Sequence, residues 1–123
     1  MSELYPLLAQ AGQVILGGYF FYNGLKHVFL KTKDYVGYSQ MKGVPQPAAA
    51  VYVSGVLLLV GGIGIATQLY LEIALWCLVA FLVPVSLKMH AFWKVEDPGM
   101  RAMEAVQFGK NVALLGAVLS MMY

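Results

Sequence analysis

The sequence predicts an all-α fold, a four-transmembrane-helix bundle of antiparallel up-down topology, and three observations point to it. First, 60% of the 123 residues are apolar or aromatic and only 11% are charged, less than half the charged share of an ordinary soluble domain. Second, the charges leave long gaps, from Leu4 to Leu25, Gly43 to Leu71 and Ile73 to Leu87. A charge at mid-bilayer costs at least about 2.5 kcal/mol, so spans show up as gaps of this kind. Third, all the basic residues lie in or beside two of the three connections. A span takes roughly 20 apolar residues, so the chain holds about four with short connections and leaves no room for a soluble domain. Residues 1–123 are therefore expected to form a single membrane domain.

Helix one is expected at about Leu4 to Leu30. Met1 to Leu16 lack the basic start of a secretory leader, with Glu3 the one charge there, so this helix is read as a retained span. The segment KTKDYVGYSQMKGVPQP follows, with helix-stopping Gly and Pro and enough Tyr and Lys for a headgroup-level loop. Helix two is expected at Pro47 to Leu69 and helix three at Glu72 to Phe92. The very short break near Thr67 and Gln68 makes these two a tight antiparallel hairpin. Pro84 in helix three deprives the Ala80 carbonyl of its donor and is expected to kink the helix. After the turn VEDPG, helix four runs from about Ala102 to Met122. It reaches spanning length only by taking Glu104 and Lys110 into the membrane's inner edge, which singles out both residues.

Lys26, Lys31, Lys33, Lys42, Lys88, Lys94, Arg101 and Lys110 flank the first and third connections, while the amino terminus, the second connection and the carboxyl terminus have none. The positive-inside rule then puts both termini outside and the basic loops in the cytoplasm, in the inner or plasma membrane of the cell. A formal charge of +2 is too small for a nucleic-acid reader. Cys77 is the only cysteine, so no disulfide framework or thiolate metal cluster forms within one chain, and no metal site is expected.

Helical periodicity gathers the polar groups at one depth. Tyr19, Asn23, Lys26 and His27 share a face near the cytoplasmic end of helix one. Ser86, His90 and Trp93 do the same on helix three, with Lys88 pointing away. Helix four contributes Glu104, Gln107, Phe108 and Asn111. Polar groups in hydrocarbon must find partners, so these faces should converge, with Glu104 pairing with Lys26, His27 or His90. The opposite face of helix four carries Ala105, Gly109, Ala113 and Ala117 at intervals of four, a small-residue ladder suited to close helix contact within the bundle, with a second copy or with another subunit.

The strings NGLKH at Asn23 to His27, GVPQP at Gly43 to Pro47, MHAFWKVEDPGMR at Met89 to Arg101 and FGKNVALLGA at Phe108 to Ala117 resemble the DoxX family of small four-helix membrane proteins. The resemblance spans nearly the whole chain, the last two strings being its most specific part. It implies the four-helix fold, and its positions are Lys26, His27, His90, Trp93, Glu104, Lys110 and Asn111. Gln107 departs from the pattern, standing where Asn is expected, and keeps the amide. Members of the family include subunits of archaeal thiosulfate:quinone oxidoreductase, which implies a redox association for this chain.

Several functional readings follow. In the first, the chain is a redox-associated subunit, an oxidoreductase component that binds a quinone or quinol at the cluster of Asn23, Lys26, His27, His90, Trp93, Glu104, Gln107, Lys110 and Asn111, with Trp93, Phe92 and Phe108 as walls. No side chain here holds an electron reversibly, so catalysis would need bound quinone or a partner's cofactor. In the second, the cluster only fixes helix packing in a structural or assembly subunit. A bis-His haem on His27 and His90 ranks below both, because two histidines are the bare minimum and each has a hydrogen-bonding role to fill. A small proton-coupled exporter would need an ionisable group near mid-membrane, which Val14 to Gly18 lack.

Overall fold

A computed structural model describes residues 2–122. The described residues are helical with no strand, in the order α1 (Leu4–Leu25), a π-helical turn (Lys26–Leu30), α2 (Thr32–Met41), α3 (Pro47–Thr67), α4 (Leu71–Lys88), a short 3-10 turn (Phe92–Lys94) and α5 (Pro98–Ser120). The four long helices alternate in direction, as expected. Two of them, α3 and α4, are long and apolar enough to cross a membrane. Gln10, Gln13 and Asn23 dilute α1, and Arg101, Glu104 and Lys110 dilute α5.

Only 39% of the apolar window of α3 and 28% of that of α4 is buried within the chain. The core helix of a soluble protein would hide most of such a surface. Here Ile15, Ile63, Ile73 and Trp76 point outward, where lipid takes the place of a protein neighbour.

From the floor of the basic end through the rest of the bundle, Phe20, Leu58, Ile65, Leu75, Leu78, Leu82 and Val118 form a core shared by all four long helices. Helix α1 packs on α3, α3 on α4 and α4 on α5. The α1–α3 contact depends on glycine. A Cβ at Gly17 would lie 2.5 Å from the Gly62 carbonyl oxygen, and one at Gly24 would lie 2.9 Å from that of Gly55. The two pairs, each partner seven residues from its like, let the backbones touch along two turns. Gly61 and Gly64 face Leu78 and Ala74 of α4 in the same way, whereas Gly18 meets open space.

Several expectations need correction. The first connection is not a plain loop, because it contains α2. Helix one does not run on as an α-helix to Leu30; it widens into the π-helical turn, in which the Lys31 amide donates to the Lys26 carbonyl five residues back at 2.8 Å. Helix three ends at Lys88 and not Phe92, so His90 and Trp93 share no helix face with Ser86. Helix four begins at Pro98, four residues early. The Asp97 carboxylate accepts from the Met100 amide at 2.9 Å and Pro98 takes the first position, so the residues read as a turn also cap a helix. The tight hairpin is present. Gln68 and Tyr70 adopt left-handed backbone at φ 62° and 50°, and the Gln68 side-chain amide donates to the Ile65 carbonyl at 2.6 Å.

Candidate functional site

At the basic end the backbones of α1 and α5 do not approach each other. Between them lies a cavity of about 800 Å³ walled by all the long helices and by Tyr35, Tyr38 and Ser39 of α2. Its lining is mostly apolar, with Phe20, Leu57, Leu58, Phe81 and Leu114 deep in the bundle, and its polar groups come from every element around it.

His27 sits on the π-helical turn. Widening the turn leaves its carbonyl to the Thr32 hydroxyl, which donates at 2.7 Å. The ring stands between Tyr35, at 4.6 Å between centroids, and the edge of Phe81, at 5.9 Å. Nδ1 lies 2.9 Å from the Ser54 hydroxyl oxygen, and Ser54 in turn donates to the Val51 carbonyl at 2.9 Å. With its hydrogen committed there, Ser54 accepts from Nδ1–H, which leaves Nε2 of a neutral ring as an acceptor.

Glu104, 9% exposed, is the second focus. Its Oε1 accepts from the Tyr38 hydroxyl at 2.7 Å, while Oε2 lies 3.1 Å from Lys42 Nζ and 3.3 Å from His90 Nδ1. Three chain segments therefore meet at one carboxylate. Burial pushes the Tyr38 phenol's pKa up, and the hydrogen bond to Glu104 and its negative charge push it further in the same direction. Asn111, two turns along α5 from Glu104, is also buried.

Asn23, Lys26, His27, His90, Gln107, Lys110 and Asn111 all line the cavity. Asn23 donates to the Tyr19 carbonyl one turn back at 2.8 Å. The Lys26 ammonium lies 5.0 Å from the Tyr22 ring centroid and that of Lys110 lies 6.0 Å from that of Tyr19. Glu104 stands behind the wall, bonded to Tyr38 and His90 within it. Lys26 and His27 do not pair with it, because Lys26 turns to Tyr22 and His27 to Ser54. Trp93 is not a wall: with Phe92 and Phe108 it forms an edge-to-face trio, 5.2 to 5.5 Å between centroids, apart from the lining. Lys88, expected to point away, is in the lining.

Sequence reasoning missed Tyr38, Lys42, Ser54 and Tyr35. The available signal is Tyr and Lys recurring in the first connection, a pattern that interfacial anchoring explains equally well. On α5 the ladder faces outward: Gly109 and Ala113 are exposed, Ala105 and Ala117 half-buried, and a Cβ on Gly109 would meet nothing within 4 Å.

Neither the curated proteins nor the solved structures contain a match to the chain. The DoxX family profile matches residues 9–91, from the first turns of α1 to the residue after His90. That stretch includes NGLKH and GVPQP, most of the cavity wall and both of its histidines, and it leaves α5 outside. With most of its length matched and an all-helical, outward-apolar architecture, the chain belongs to the DoxX family of membrane proteins.

Proposed function

We propose that this protein binds a quinone or quinol in the cavity at its basic end and serves as a redox-associated component of a membrane system. The observation that carries the reading is the cavity itself, which joins an apolar interior to hydrogen-bonding groups at one depth. A quinone ring needs donors for two carbonyls, and Lys110 and Asn111 supply them. A quinol needs acceptors for two hydroxyls, and the free Nε2 of His27 suits one. Phe20, Leu57 and Leu114 offer the tail an apolar path. Reducing a quinone takes two electrons and two protons. The side chains here hold protons and no electrons, so the proposal is for binding, with electrons coming from a partner's redox centre. The basic residues at this end support a cytoplasmic-side position for the cavity under the positive-inside rule.

The test is purification into nanodiscs of neutral phospholipid, extraction of retained quinone, and titration with a short-tailed quinone. Saturable binding is expected, weakened about tenfold by His27→Ala or Asn111→Ala. Absence of both retained quinone and saturable binding refutes the reading.

The outward stripe of Gly109 and Ala113 favours a second role, as a non-catalytic subunit that makes a lateral helix contact with another copy or another membrane protein. In that case Gly109→Ile changes the assembly's mass in mild detergent and leaves quinone binding intact. An unchanged assembly mass refutes it.

A further inference from the structure

The cavity wall contains Lys26, Lys88 and Lys110 and, among the described residues, neither Asp nor Glu. The two ion pairs found among the described residues both use Glu104, which is matched by Lys42 with His90 alongside. The three wall lysines are therefore uncompensated. Two of them are held in place over aromatic faces, Lys26 on Tyr22 and Lys110 on Tyr19, both from α1. Lys88 reaches the same cavity from the end of α4. Lys26 is half-buried and Lys88 and Lys110 are exposed, so the three ammonium groups border the cavity where it meets solvent, and with no carboxylate on the same wall their summed field favours an anion there. The deeper wall of Leu57, Leu58, Phe81 and Leu114 favours hydrocarbon.

We infer that the cavity selects an amphiphilic anion, a molecule with one acidic head, carboxylate or phosphate, on an apolar body. The head sits among Lys26, Lys88 and Lys110, and the body lies on the Phe81 side. This inference shares with the proposed function the cavity as ligand site, and it does not depend on the ligand being a quinone. The same chemistry is found in an acidic phospholipid of the surrounding bilayer and in a free amphiphilic acid.

The experiment uses the full chain in phosphatidylcholine nanodiscs, with binding followed by native mass spectrometry. The probes are dodecyl phosphate, dodecanol as its uncharged match, and a decyl-tailed quinone. Dodecyl phosphate is expected to bind at least about tenfold more tightly than dodecanol. Lys110→Gln and Lys26→Gln should each weaken the phosphate about three- to tenfold and leave dodecanol unchanged, while Lys110→Arg keeps the affinity and shows that the fold is intact. Equal binding of phosphate and alcohol, or Gln variants that bind phosphate like the parent, overturns the inference. The quinone arm is read separately: a quinone that binds while phosphate gains nothing over alcohol sinks this inference alone, and loss of all three probes sinks both. A parallel series in nanodiscs containing phosphatidylglycerol assigns the source. Displacement of dodecyl phosphate there supports a bilayer lipid as the occupant, and undiminished binding supports a free acid.

Discussion

Replacing Glu104 by Gln keeps the side chain's shape and leaves an oxygen for the Tyr38 hydroxyl, but it removes the charge that Lys42 and His90 approach. The Lys42 side chain is 19% exposed and that of Glu104 is 11% exposed, so water replaces little of what is lost. Turning the 2.7 Å Tyr38 contact from a charge-assisted into a neutral hydrogen bond costs about 1 kcal/mol. Leaving Lys42 without its counter-ion in a half-buried site costs about 1 to 2 kcal/mol more. Together these predict a loss of about 2 to 3 kcal/mol, which in a chain of this size lowers Tm by roughly 8 to 12 °C. Removing both members should be milder than the sum of the single losses, because Lys42→Gln relieves the stranded cation. A double-mutant cycle on thermal melts in one detergent is expected to give a coupling of about 1 to 2 kcal/mol. Amide hydrogen exchange gives a second readout. The backbones of α2 and α5 do not approach, and the Tyr38 and Lys42 contacts of Glu104 bridge the distance, so Thr32–Met41 should exchange faster in the variant. If Glu104→Gln melts with the parent, or if the cycle closes to within about 0.5 kcal/mol of zero, the three-segment junction is not a stabilising feature.

Three further perturbations follow from particular contacts. Gly62→Ala puts a Cβ 2.5 Å from the Phe21 amide nitrogen and 2.6 Å from the Gly17 carbonyl oxygen; backbone cannot step aside cheaply, so thermal melts should show a loss of about 2 to 3 kcal/mol. Gly18→Ala, which meets open space, should melt like the parent. Asp97→Ala removes the α5 cap and is expected to cost about 1 kcal/mol with faster exchange at the Met100 amide, while Asp97→Asn restores most of it. Ser54→Ala takes away the partner that holds the His27 proton on Nδ1, so imidazole NMR should show the Nδ1–H tautomer losing its dominance; an unchanged tautomer ratio would mean that the Val51 carbonyl, 3.4 Å from Nδ1, fixes the ring by itself.

The first three long helices were legible because a bilayer penalises charge severely enough to print them as gaps, whereas α5 carries Arg101, Glu104 and Lys110 and leaves no gap of full length; the burial of Glu104 with Asn111 was legible because seven residues make two turns. Helix α2 was not. Its sequence TKDYVGYSQM is polar, with Gly37 in the middle, and has no apolar stripe long enough to announce a helix. What holds it is tertiary: Tyr35 against His27, and Tyr38 and Lys42 on Glu104. A carboxylate among eight basic residues does not say which of them it will meet, and Lys26 looked equally placed until the π-helical turn and the Tyr22 ring took it elsewhere. The cap at Asp97 was readable, since Asp followed by Pro is as good a helix start as it is a turn.

The junction and the cavity depend on each other through Tyr38. Its ring belongs to the cavity wall and its hydroxyl to Glu104, so the position of one wall is set by a bond formed behind it. His90 is in the same position, lining the cavity while its Nδ1 lies against Glu104. Pairing Glu104 with Lys42 keeps the carboxylate's charge locally neutral, so it does not cancel the field of the wall lysines. Loosening the junction should therefore weaken a ligand's binding without removing any group that touches it. Tyr38→Phe separates the two effects. It keeps the ring in the wall and breaks only the bond, so ligand affinity should fall together with protection of α2 from exchange. An affinity that holds while α2 loosens would show that the wall's position matters less to binding than the lysines and His27 that face the cavity.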